Sequence, residues 1–100
     1  MADTQIKGSK KTLFRVKEPS RYNVIMHNDD VTTMDFVVMV LQRIFRKTEV
    51  DAEVIMLKIH NEGAAIVGTY TRDIAQSKAN YTMKLARQNS FPLQLTIEEA

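Results

Sequence analysis

Three side chains have types that suit the binding of a ligand: Asn28, Asp30 and His60. The first two fall in one acidic loop together with Asp29, and His60 falls near the predicted end of a helix. An amide carbonyl, a carboxylate and a neutral imidazole all accept hydrogen bonds, so the three together suit a ligand that donates them. Each also has a simpler structural explanation, because the loop residues can cap a helix or shape a turn and the histidine can pair with a helix dipole.

Methionines accompany these polar residues along the chain. Met26 precedes the acidic loop, Met34 follows it, and Met56 lies one helical turn before His60, on the same face of the helix. Core packing is the ordinary explanation for most methionines, although this flexible and polarizable side chain also suits an adaptable pocket. If the helices pack as predicted below, the methionines cluster beside the polar side chains, and such a site suits a ligand with one cationic and one apolar end.

The same residues do not form a recognisable catalytic or metal site. No Ser or Thr lies in a nucleophile motif, so we expect no catalytic residue and no enzymatic activity. Asp29, Asp30 and His60 are possible metal ligands, but the sequence lacks the dense ligand spacing of metal sites and contains no cysteine. We therefore expect no metal and no cofactor.

The charge of the chain is concentrated at its beginning. Residues 1–20 carry five basic and two acidic side chains, whereas the other 80 residues carry nine basic and ten acidic ones. A nearly neutral body lacks the basic surface of a nucleic-acid binder. The longest apolar run, residues 36–41, is too short to cross a membrane, and no signal-peptide core follows the basic residues. We expect a cytoplasmic protein with neither nucleic acid nor membrane as a partner.

The elements that must position these residues follow from hydrophobic periodicity and from turn and cap residues. The sequence predicts strands at residues 21–26 and 64–70 and after Pro92, and helices that begin at Thr32, Thr48 and Thr71. Gly63 is expected to end the second helix. The apolar faces predicted for the three helices are Met34, Val37, Val38, Leu41, Ile44 and Phe45; Val50, Val54, Ile55 and Leu57; and Ile74, Ala75, Ala79, Met83 and Ala86.

This order of elements, β-α-α-β-α-β, predicts the fold class. We expect an α+β protein, a compact two-layer α/β sandwich of a three-stranded antiparallel sheet and three helices. Residues 1–19 are polar, without periodicity, and are interpreted as a flexible N-terminal arm before a core domain at residues 20–100.

Several segments of the core domain match a known family. The stretches YNVIMHNDDVTTMDFVVMVL, IHNEGAAIVGTYTRDIAQSKA and NSFPLQLTIEEA resemble the ClpS adaptor family of the bacterial N-degron pathway. The resemblance covers residues 20–100. It implies an adaptor that binds proteins with N-terminal Phe, Tyr, Trp or Leu and delivers them to the ClpA unfoldase of the ClpAP protease. A ribosomal or other interaction domain of similar shape, such as the C-terminal domain of the ribosomal stalk protein, is the alternative.

The resemblance also implies which residues act. The α-amino group of the substrate would be held by Asn28, Asp29, Asp30 and His60. The pocket for its side chain would be lined by Met26, Thr32, Met34, Val37, Met56, Ile59 and Leu93. Asp73 and Lys78 would contact the N-terminal domain of a ClpA-type AAA+ unfoldase, the arm would serve in delivery, and the adaptor is expected to be a monomer.

Two departures from the family's usual pattern involve three positions. Thr33 stands where many members have Pro after the capping Thr, and we expect a small loss of rigidity there. Met26 and Ile59 are long or branched where smaller residues also occur, so we expect them to narrow the pocket.

Overall fold

The structure, a computed structural model, describes residues 20–100 as three strands and three helices. The elements are β1 (Arg21–His27), α1 (Met34–Arg43), α2 (Glu49–Glu62), β2 (Ala64–Thr71), α3 (Arg72–Gln88) and β3 (Gln94–Glu99). The predicted order and fold class are confirmed. The predicted arm at residues 1–19 lies outside the described residues.

The sheet has β1 at its centre and is antiparallel throughout, in the order β2-β1-β3. Side chains alternate between its faces, and one face is buried under the helices. The side chains buried on that face are Val24, Met26, Ala65, Val67 and Leu95. On β2, Ile66 lies between two of these positions and is 52% exposed, so the other face is open to solvent.

The start of α1 corrects the predicted cap. Thr33, not Thr32, is the N-cap, and its hydroxyl accepts the Phe36 backbone N–H at 3.2 Å. The Thr32 hydroxyl instead donates to Asp29 within the preceding loop. Thr33 is therefore the cap and not the first helical residue assumed in expecting a small loss of rigidity, and that expectation stays a prediction.

The buried face of α1 also differs from the predicted one. Phe36 and Val40 are buried beside Val37 and Leu41, whereas Met34 is 44% exposed. Phe36 packs edge-to-face on Phe91, with the ring centroids 5.0 Å apart. This aromatic contact with the segment before β3 was not apparent from helical periodicity.

The second helix begins and ends as predicted, but the buried face predicted for it was wrong except at Ile55. The Thr48 hydroxyl accepts the Asp51 N–H, and Gly63, at φ 94°, takes the left-handed position that ends the helix. Val50, Val54 and Leu57 are nevertheless 70%, 61% and 48% exposed. The buried residues of the helix are Ala52 and Ile59, with Ile55 and Met56 partly buried beside them.

On α3, the predicted face is confirmed at its three alanines and wrong at Ile74. Ala75, Ala79 and Ala86 are buried, while Ile74 is 48% exposed. Thr82 is fully buried instead, because its hydroxyl donates to the Lys78 carbonyl one turn earlier and so needs no water. Among residues 20–100, no helix is long and apolar enough to span a membrane.

Candidate functional site

A backbone hydrogen bond joins the acidic loop to the end of α2. The last pair of residues in the β1–β2 ladder is His27 and Ala64, so the loop after β1 begins where α2 ends. The Asn28 N–H donates to the Gly63 carbonyl at 2.9 Å. The αL turn at Gly63 thus brings the loop to the last turn of α2, which carries His60.

Asp29 organises the loop from within. One carboxylate oxygen accepts the backbone N–H groups of Val31 and Thr32 at 2.8 and 2.7 Å, and the other accepts the Thr32 hydroxyl at 2.7 Å. Such an Asx turn fixes the loop backbone. Asp29 was expected to help hold an amino group, but its oxygens already serve the loop, so its geometry favours a positioning role.

The electrostatics of Asp29 agree with this geometry. Partial burial by itself raises the pKa of the carboxyl group, but the hydrogen bonds from Thr32 and Val31 and the positive charge of Arg87 outweigh it. The net pKa lies below its ordinary value of 3.8. The folded loop therefore favours the ionised form of Asp29.

The other three polar residues are free to face a ligand. Asn28, Asp30 and His60 are exposed, and the structure records no side-chain hydrogen bond from any of them to another residue of the 20–100 segment. They are among the residues that line a cavity of about 250 Å³. Its opening therefore presents an amide carbonyl, a carboxylate and an imidazole, all of which can accept hydrogen bonds.

Apolar side chains form the rest of the cavity. Val37 and Ile59 are buried in its wall, and Met34 and Met56 are only partly covered. Thr32 also lines it, with its hydroxyl held by Asp29. An apolar cavity of about 150 Å³ is enough to bind benzene. The cavity therefore has room for one large apolar side chain.

Nine of the predicted site residues come together in this cavity, but Met26 and Leu93 do not line it. Both are almost completely buried, at 0% and 1% exposure. Met26 points from β1 into the core under the helices, and Leu93 belongs to the same core cluster. Ile59 does line the cavity, whereas the expected narrowing by Met26 stays a prediction.

The predicted contact residues on α3 differ in their surroundings. Asp73 is exposed in the first turn of the helix. Lys78 is partly buried: its Nζ donates to the Ile44 carbonyl at 2.8 Å and lies 5.3 Å from the centre of the Tyr70 ring. This ammonium group therefore joins α3 to the end of α1 and to β2, a role that the sequence did not indicate.

No metal centre accompanies the cavity. Within residues 20–100, no three His, Asp or Glu side chains are grouped so that they could hold a metal ion. Asp29 is bonded within its own loop. The acceptors at the cavity opening suit a cationic hydrogen-bond donor.

The chain is similar to one well-defined group of proteins. A sequence model of the family described as "ATP-dependent Clp protease adaptor protein ClpS" matches residues 17–96. The Clp protease adapter protein ClpS of Lawsonia intracellularis is 47% identical over 85 residues, 85% of this chain and 78% of that protein. The Gluconobacter oxydans ClpS protein is 52% identical over 83 residues, 83% of this chain and 70% of that protein.

A solved structure shares the fold. Agrobacterium tumefaciens ClpS2, determined bound to L-phenylalaninamide, superposes with a TM-score of 0.80 and 37% sequence identity. The match covers 83% of this chain and all of that one.

Proposed function

The chain belongs to the ClpS family of adaptor proteins of the ATP-dependent Clp protease, and we propose that it captures proteins by a free N-terminal Phe, Tyr, Trp or Leu. One observation carries the proposal: the same cavity joins hydrogen-bond acceptors at its opening to apolar walls inside. An N-terminal residue has the matching chemistry, an α-ammonium group with three donors beside a large apolar side chain.

The ligand of the A. tumefaciens relative supports this assignment. L-Phenylalaninamide is a phenylalanine with a free amino group, and its amide stands in for the peptide bond to a second residue. In this chain Asn28, Asp30 and His60 would accept the ammonium hydrogens, while Asp29 holds the loop in place. Val37, Met34, Met56 and Ile59 would enclose the side chain.

Delivery is the second half of the proposal. The partner would be the N-terminal domain of a ClpA-type unfoldase in the cytoplasm, met by a monomeric adaptor, with residues 1–19 serving in delivery. Asp73 is exposed and suits a direct contact. Lys78 would act through its bond to Ile44, which fixes the end of α1 beside α3.

Binding of peptides that differ only in the first residue tests the proposal. We expect a fluorescent peptide beginning with Phe to bind with a dissociation constant of about 1–10 μM, since charge-assisted hydrogen bonds and apolar burial together exceed the cost of association. The same peptide beginning with Gly should bind about tenfold more weakly, because it leaves the partly open cavity unfilled. Equal anisotropy titrations for the two peptides would reject the cavity as the side-chain pocket.

The His60 imidazole gives the proposal a test by substitution. A neutral imidazole nitrogen can accept a hydrogen bond from the ammonium group. His60→Ala removes this acceptor, so we expect it to lower the affinity for a Phe peptide about fivefold or more.

A second histidine provides the control for this measurement. His27 ends β1, and its Nε2 is 2.8 Å from the Thr96 hydroxyl oxygen. His27 does not line the cavity, so His27→Gln should keep the affinity of the unaltered protein. An unchanged affinity in His60→Ala would exclude the acceptor role of His60.

A further inference from the structure

A second cavity adjoins the first on the outer surface of α1 and α2. This helical groove has a volume of about 470 Å³, and its apolar lining is Met34, Val38, Met39 and Met56. Met34 and Met56 also line the candidate pocket, so the two cavities share a wall. A chain leaving the pocket across these methionines would enter the groove.

The apolar strip of the groove is incompletely covered by the protein itself. Met34 is 44% exposed, and Val38, Met39 and Met56 are only partly buried against the core. Met34 and Val38 are one turn apart on α1 and share a face. The groove therefore offers apolar surface that is continuous with the pocket and that another side chain can bury.

The charges in the groove do not make it a simple cation site. Asp35 and Glu53 line it, but so does Arg43, and Gln42 is neutral. The opposite charges partly offset one another, and the methionines between them suit unbranched apolar groups of variable shape. The chemistry of the lining thus favours an apolar occupant such as Leu or Met.

We propose that the helical groove is a second specificity site that takes an apolar side chain at the third position of the captured polypeptide. This inference rests on the proposed function of the neighbouring pocket. In an extended chain successive side chains point to opposite sides, and residues one and three share a side at a spacing of about 6.6 Å. The third side chain thus reaches the cavity next to the pocket, and the second points away from it.

Peptides with one variable position test the proposal on the unaltered protein. We expect a labelled peptide beginning Phe-Gly-Leu to bind about threefold to tenfold more tightly than one beginning Phe-Gly-Gly, because the groove covers only part of the leucine. A peptide beginning Phe-Leu-Gly should bind like Phe-Gly-Gly. Equal binding of all three, or a gain confined to the second position, would overturn the assignment.

A further peptide separates apolar contact from charge. One beginning Phe-Gly-Lys should gain less than the Phe-Gly-Leu peptide, since Arg43 offsets part of the acidic charge. A gain for lysine that exceeds the gain for leucine would overturn the apolar assignment. Failure of the Phe-Gly-Gly peptide to bind at all would instead reject the pocket proposal, and with it the groove proposal that rests on it.

A pair of variants tests whether the gain in affinity for Phe-Gly-Leu arises in the groove. Met39→Ser should abolish the advantage of Phe-Gly-Leu while leaving the binding of Phe-Gly-Gly unchanged. The matched control is Val50→Ser, which alters an exposed apolar residue of α2 that does not line the groove and should keep the advantage. An advantage that persists in a Met39→Ser protein with unchanged thermal unfolding would contradict the proposal.

Discussion

Acetylation of its α-amino group should lower the affinity of a Phe-initiated peptide by about 100-fold or more, the largest effect we expect. The acetyl group removes the positive charge and two of the three N–H donors. Asn28, Asp30 and His60 would then face an amide that cannot satisfy them. Because a hydrogen bond to a charged group contributes about 1.5–3 kcal/mol, the loss of two such bonds is sufficient for this change.

Fluorescence anisotropy with a C-terminally labelled peptide measures this effect directly. A peptide acetylated on an internal lysine provides the control, because it carries the same modification without altering the first residue, and it should bind as tightly as the unmodified peptide. If the N-acetylated peptide titrated like the free one, the amine site at the opening of the cavity would be rejected, whatever the apolar walls contribute.

Local signals in the sequence were sufficient to predict the order of the elements. Thr48 and Gly63 bound α2 as expected because a cap hydroxyl and a left-handed glycine act within a few residues. At α1, two adjacent threonines could each have served as the cap. Thr33 caps the helix, whereas Thr32 is bonded to Asp29 in the loop, and periodicity does not reveal these local hydrogen bonds.

The buried face of α2 could not be chosen from periodicity alone. Val50, Val54 and Leu57 form one stripe at helical spacing, and Ala52, Ile55, Met56 and Ile59 form another. Packing on α1 and β2 selects the second stripe, which includes the small Ala52. The periodic signal was present on both sides, so tertiary contacts decided between them.

The sequence indicated which residues line the cavity more fully than it indicated how they are arranged. Asn28, Asp30 and His60 were singled out by their side-chain types, and the structure brings them to one opening. The bond from Asn28 to Gly63, which joins the two parts of the site, depends on long-range strand pairing. The family resemblance placed Met26 in the pocket wall, but the alternation of side chains along β1 directs it into the core.

Asp30→Ala should mainly weaken peptide binding, whereas Asp29→Ala should mainly lower stability, although the two residues are neighbours in the sequence. Asp30 faces the opening and has no recorded bond to residues 20–100, so its loss should weaken Phe-peptide binding by about 10-fold to 100-fold. Its effect on the free energy of unfolding should be small, as for most exposed substitutions. Isothermal titration and chemical denaturation measure the two quantities on the same samples.

Asp29→Ala should act mainly on the stability of the protein. It removes the acceptors for Val31 and Thr32, which should lower the free energy of unfolding by about 1–2 kcal/mol at neutral pH. Since the pKa of Asp29 is lower in the folded protein, this stabilisation is fully present above the ordinary value of 3.8 and is lost as the pH falls through the folded-state value. The stabilities of the variant and the unaltered protein should therefore converge as the pH falls below 3.8. A stability loss for Asp30→Ala as large as that for Asp29→Ala would contradict the division of roles, because it would mean that both carboxylates hold the loop and neither is reserved for the incoming amine.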